Sequence, residues 1–177
     1  GIDDRHEKIP QPDLPSLIVL DKKTGRLVAK DDVKIGRRML HCNWSSPSLG
    51  QVEGKTLIFF GGADGILYAF EPPSASWDQS VQILKPVWSC DANPPNYRIR
   101  NGQPVPYSKH SKNSPEGPSE IIGTPVFHQG RVYVTIGQSP IHGVGQGCLS
   151  CVDAATGTKV WNSTLVDRSL ATVSLAD

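Results

Sequence analysis

Residues 148–161 read CLSCVDAATGTKVW. An apolar strand runs into a turn marked by Asp153, Thr156 and Gly157, and a second strand leaves it and stops on Trp161. Residues 17–30, LIVLDKKTGRLVAK, have the same outline, with Asp21, Thr24 and Gly25 in the turn. There Ala29 stands where the tryptophan would fall. The turn chemistry is specific: glycine adopts the positive φ that a tight hairpin requires, while Asp and Thr side chains bond the turn backbone. A large indole closing the second strand calls for another sheet to pack against.

Other hairpins lie on either side. TLIFFGG (56–62) and ILYAFE (66–71) flank the turn ADG, and an Asp-Gly between apolar, aromatic-rich runs is a strong hairpin signal. TPVFHQGRVYVTIG (124–137) repeats the idea around HQG. Stacked, these pieces form a unit of four short antiparallel strands that recurs. One unit spans 44–92, with KPVWSC around Trp88 as its fourth strand, and a second spans 121–165. Residues 16–30 read as the end of an earlier unit and 169–177 as the start of a later one. No segment shows a convincing amphipathic helix. The expected fold is all-β: a partial β-propeller over 1–177, about two full blades plus half blades. Beginning and ending in mid-unit implies a piece of a larger ring, or strands supplied by another chain, since open sheet edges seek partners.

Residues 93–120, NPPNYRIRNGQPVPYSKHSKNSPEGPSE, break the pattern and read as a long inserted loop. Its Tyr97, Arg98, Arg100, Tyr107, Lys109, His110 and Lys112 suggest a basic, aromatic contact surface for an acidic partner or polysaccharide.

The formal net charge of +1 gives no global field for nucleic acid or an anionic membrane. Gly 17 and Pro 15 against Met 1 favour turns and short strands over helices. No apolar run reaches the ~18 residues needed to span a bilayer. Cys148 and Cys151 form a C-x-x-C, but on a strand they point to opposite faces, so they read as small core residues rather than a zinc or dithiol site. No histidine follows Cys151, which excludes haem attachment there. A Cys42–Cys90 disulfide is open. His6, His41, His110, His128 and His142 are not spaced as a ligand pair. Asp64 and Asp153 read as turn residues. Asn43 and Asn162 head glycosylation triplets read as coincidental, and Trp77-Asp78 lies in a linker-like stretch.

The phrase Asp-x-x-Thr-Gly-x-x-x-Trp, present as Asp153, Thr156, Gly157 and Trp161 and in part as Asp21, Thr24 and Gly25, resembles the repeat of the pyrroloquinoline-quinone (PQQ)-like β-propellers. The stretch from His41 through Pro72 is similar to large propeller proteins of this type from planctomycetes. That resemblance implies tryptophans docking between blades, here Trp88 and Trp161, and export to the periplasm or cell surface. It implies two functions. One is a non-catalytic scaffold binding the remainder of its own propeller or another protein chain. The other is a quinoprotein dehydrogenase using PQQ and calcium to oxidise alcohols or sugars, or a propeller joined to a haem electron-transfer domain. The family's adjacent Cys-Cys pair is absent from this sequence. The scaffold reading is therefore preferred, with no catalytic or metal residue assigned, and PQQ and calcium would need a complete ring.

Overall fold

A computed structural model describes residues 9–76, 80–107, 117–139 and 145–176. Trp77, Asp78, Lys109, His110, Lys112, His142 and His6 lie outside the described residues.

The described chain is almost entirely β. A hairpin, β1 (Ile18–Leu20) and β2 (Leu27–Lys30), comes first. Then come β3 (Ser48–Val52), β4 (Lys55–Gly61), β5 (Ile66–Phe70), β6 (Gln82–Ile83) and β7 (Pro86–Asp91). A one-turn helix α1 (Pro95–Arg98) and a small hairpin, β8 (Ile99–Arg100) and β9 (Gln103–Pro104), follow. The last sheet is β10 (Val126–His128), β11 (Arg131–Ile136), β12 (Cys148–Asp153) and β13 (Lys159–Ser163). Two sheets have four antiparallel strands, in the orders β3-β4-β5-β7 and β10-β11-β12-β13. These two sheets have the form of propeller blades, and β1-β2 makes a three-stranded sheet with β6. The architecture is that of a partial β-propeller.

Turn chemistry sets the hairpins. Glu53-Gly54, Asn101-Gly102 and Gln129-Gly130 each place two successive residues at positive φ, the two-residue turn whose twist matches antiparallel strands. The Asp-Thr-Gly turns of residues 21–25 and 153–157 are built alike. Asp21 Oδ1 accepts from the Thr24 amide and hydroxyl, both at 2.8 Å, and Asp153 Oδ1 accepts from the same groups of Thr156, both at 3.0 Å. A register shift precedes the same turn position in all three units, at Val19/Leu20, Ala69/Phe70 and Cys151/Val152. The recurring bulge marks these strands as equivalent members of one repeat.

The middle sheet is apolar on both faces because a sheet covers each. Ile58, Phe60, Tyr68 and Phe70 pack with Leu17, Ala29, Ile35 and Leu84 toward β1-β2. Leu57, Phe59, Leu67 and Ala69 pack with Val132, Val134, Ile136 and Val152 of the last blade. Alternate residues of one strand thus serve opposite cores, which explains the unbroken run LIFF.

Trp88 of the middle blade touches the turn of the last blade. Its Nε1–H donates to the Ala154 carbonyl at 3.0 Å, and its ring lies 5.8 Å from that of Phe59. A Cβ added to Gly157 would sit 2.7 Å from Trp88 Cδ2. The ring of Phe127 also stacks against Phe59, at 5.8 Å, and occupies the space that a side chain on Gly50 would fill. Trp161 is 44% exposed, and the described ring beside it is Tyr133 of its own sheet, at 6.1 Å.

Ala29 has a structural reason. Where the last blade has its Asp-Thr-Gly turn, the middle blade has a longer connection, residues 71–85, between β5 and β7. That connection carries β6, which lies parallel to β2 with Ala29 opposite Gln82. The Leu84 amide donates to the Lys30 carbonyl at 2.9 Å, and Leu84 joins the core beside Ala29. A small residue on β2 is therefore matched to a bulky insertion, and Trp88 is matched to a bare glycine turn.

The described start of the segment 93–120 carries a helical turn and a small hairpin. Pro95 begins α1 in a position where its missing N–H costs nothing, and Asn101-Gly102 closes β8-β9.

Candidate functional site: the polar loop face

Two sets of connections share one end of the blades: those joining the second to the third strand, and those joining the fourth strand to the next blade. Most buried polar side chains lie here: Asp31, His41, Asp64, Asn93, Ser119, Glu120, Gln138 and Ser139. The opposite end carries the hairpin turns, which are largely exposed.

Asp64 follows Gly61-Gly62 in the β4–β5 connection and is 1% exposed. Its Oδ2 accepts from the Tyr68 hydroxyl at 2.5 Å and from Arg38 Nε at 3.2 Å. Arg38 also donates to Tyr68 Oη at 2.8 Å. Burial pushes the Asp64 carboxyl above its ordinary value, while Tyr68 and Arg38 pull it back. The triad ties the loop ahead of β3 to the blade, a role wider than that of a turn residue.

Arg98 clamps the start of the inserted segment. It donates to both Asp91 oxygens, at 2.8 and 2.9 Å, and to the Asp64 carbonyl at 2.6 Å. Tyr97 is buried, with its hydroxyl donating to the Gly147 carbonyl at 3.1 Å. Asn93 bonds the backbone of Ser119 in both directions, at 3.0 and 2.8 Å, and so fastens the two ends of the segment together.

At the far end of the segment stands Glu120, fully buried. The Tyr107 hydroxyl reaches its Oε1 and Oε2 at 2.9 and 3.0 Å. Burial is the main cause that raises this carboxyl from 4.5 to about 7, against the pull of its own amide, Tyr107 and the Ser139 amide. The same environment raises Tyr107. Gln138 is also fully buried; its Nε2 donates to the Pro118 carbonyl at 3.2 Å and its Oε1 has no partner.

The structure therefore divides the residues singled out from sequence. Tyr97, Arg98 and Tyr107 of the inserted segment each make described contacts with the chain's own core and loops rather than with one another. Arg100 is half-exposed at β8. Asp21, Thr24, Gly25, Asp153, Thr156 and Gly157 lie at the opposite end, in the turns. Cys42, Cys90, Cys148 and Cys151 are free thiols. Sequence reasoning passed over Arg38, Tyr68, Glu120 and Gln138. Only Glu120 carries a local signal, a carboxylate set directly before the apolar run IIGTPVF; the others acquire meaning through contacts distant in sequence.

No protein-family model matches the chain, and no curated protein sequence matches it. Solved structures do. The chain is similar to quinohemoprotein alcohol dehydrogenase ADHIIG from Pseudomonas putida HK5, with 21% identity and a TM-score of 0.47, over 84% of this chain and 18% of that one. It is similar to the quinohemoprotein alcohol dehydrogenase of Comamonas testosteroni, with 19% identity and a TM-score of 0.48, over 81% and 17%. It is also similar to BamB from Moraxella catarrhalis, with 15% identity and a TM-score of 0.37, over 84% and 46%. The chain spans under a fifth of the length of those two dehydrogenases.

Proposed function

We propose that this chain is a section of a PQQ-like β-propeller that acts as an exported, non-catalytic scaffold, binding the rest of its own ring or another protein. One observation carries the reading: the buried and clamped carboxylates described on the loop face hold its loops. Asp64 is bound by Arg38 and Tyr68, Asp91 by Arg98, and Glu120 by Tyr107. Such a face is a rigid platform whose specificity resides in shape and in the outward residues of its loops. The family assignment takes its support from the Asp-Thr-Gly turns and the Trp88–Gly157 contact. Export to the periplasm or cell surface follows from that assignment. No helix among the described residues is long and apolar enough to cross a membrane.

The dehydrogenase reading requires carboxylate and amide oxygens free to hold calcium beside the quinone. The buried carboxylates here are already engaged by the chain's own donors. Among the described residues no three His, Cys, Asp or Glu side chains gather as a metal site. No step is assigned through the group. The feature that favours chemistry is Glu120, a buried acid near neutrality, the usual mark of a group that moves a proton. A haem-linked version would need a C-x-x-C-H outside this chain.

A photo-crosslinking side chain placed at Arg100 tests the scaffold reading, with Lys55 on the opposite end as control. One discrete adduct formed from Arg100 and not from Lys55, and competed by unlabelled protein, is the expected result. Equal labelling from both ends, or none, would count against it.

A further inference from the structure

The contact at Trp88 has two sides, and strand register locates a second example of each. On the middle blade, Phe59, Ala69 and Trp88 stand opposite one another across β4, β5 and β7. On the last blade, Tyr133, Cys151 and Trp161 stand opposite one another across β11, β12 and β13. Each row lies beside the register shift of its sheet, at Ala69/Phe70 and at Cys151/Val152. Trp161 is thus the counterpart of Trp88. Its ring lies 6.1 Å from that of Tyr133, as the Trp88 ring lies 5.8 Å from that of Phe59. Val132, Val134 and Val152 pack toward the middle blade, so the alternate residues Tyr133, Cys151 and Trp161 face away from it. Trp161 is 44% exposed on that outward face.

The receiving side also recurs. On the last blade it is the 153–157 turn, with Gly157 at φ +73° against the indole and Val152 fully buried beside it. On the sheet β1-β2-β6, the turn of residues 21–25 has the same Asp-Thr hydrogen bonds, and Gly25 has φ +72°. A Cβ on Gly25 would meet no described atom within 4 Å. Leu20 follows its register shift as Val152 does, yet it is 50% exposed. Leu17, Val19 and Ala29 pack toward the middle blade, so Ile18 and Leu20 face away from it.

We propose that copies of this chain join head to tail, with Trp161 of one copy docking on the Asp21–Gly25 turn of the next and covering its Leu20. The contact repeats one that the chain already makes within itself. The Lys22 carbonyl stands where the Ala154 carbonyl accepts from the Trp88 indole. Lys22 and Lys23 replace Ala154 and Ala155, which brings cations to the face of the docked ring. The two bare surfaces lie beyond opposite faces of the middle blade, so one copy does not satisfy its own. A contact between unlike surfaces leaves one of each free for a further copy. The proposal deepens the scaffold reading by naming its partner, and it rests on that reading.

Sedimentation equilibrium of the whole protein supplies the test. Wild type should associate in steps of one chain as concentration rises. Trp161→Ala and Leu20→Lys should each weaken association by at least about 30-fold. Mixed together, these two variants should form a one-to-one dimer and stop there, because each keeps one intact surface. A wild-type protein that stays monomeric to about 1 mM overturns the proposal. So does a closed symmetric dimer, association that survives Trp161→Ala, or a mixture that stays monomeric. If Trp161→Ala does not fold, Leu20→Lys associating as wild type does overturns the proposal alone. A monomeric wild type that still gives the single Arg100 adduct removes the second copy as occupant and leaves the scaffold reading standing. Stepwise association without that adduct supports the head-to-tail contact and counts only against the loop face.

Discussion

If the Trp88–Gly157 contact joins the two blades, two substitutions on opposite sides of it should couple. Trp88 is half-buried against Phe59 and the 153–157 turn. Enclosing a large aromatic fully is worth about 3–5 kcal/mol. A half-buried ring should lose about 2, and its indole hydrogen bond to Ala154 about 1 more. Trp88→Ala should therefore destabilise by about 3 kcal/mol. Gly157→Ala meets two penalties. The φ of +73° disfavours any L side chain, at about 1–2 kcal/mol, and the new methyl lies 2.7 Å from the indole, adding about 1–3 kcal/mol of overpacking. In the Trp88→Ala background the second penalty vanishes because the ring has gone. The double variant should thus be more stable than the sum of the single changes by about 2 kcal/mol. Urea unfolding of the four proteins measures this directly. Additivity within about 0.5 kcal/mol would refute the contact as the joint between blades.

Two further predictions concern the opposite side of the middle blade. Ala29→Trp should destabilise by at least about 2 kcal/mol, because Ala29 is fully buried under β6. The Leu84 amide, bonded to Lys30, should then lose protection from exchange. Asp31→Ala should cost about 2–3 kcal/mol in urea unfolding, since Asp31 Oδ1 accepts from the Ser16 and Leu17 amides at 2.7 and 2.6 Å in a buried site.

The hairpins were legible because their signals are local. Gly54, Gly65, Gly130 and Gly157 stand in the turns where the sequence places turns, and each adopts positive φ. The two blades follow from the same alternation. What escaped is what depends on distant partners. Ala29 reads as a gap in the repeat, and only β6, more than fifty residues later, explains it. Trp161 matches the repeat phrase, whereas the tryptophan that touches another described sheet is Trp88, whose strand has no Asp-Thr-Gly turn before it. The inserted segment looks like a contact loop because it is basic and aromatic. Folded, its tyrosines face the chain's own carbonyls and Glu120. The buried acids could not be told from solvated ones, since Arg38 and Tyr68 find Asp64 only through the fold.

The most direct test of the scaffold account is a titration of the purified full-length protein with PQQ and calcium. The quinone absorbance and dye-coupled alcohol oxidation are followed together. The scaffold reading predicts that the spectrum remains that of free quinone and the dye stays oxidised. A shifted, stoichiometric quinone band accompanied by dye reduction would contradict the account.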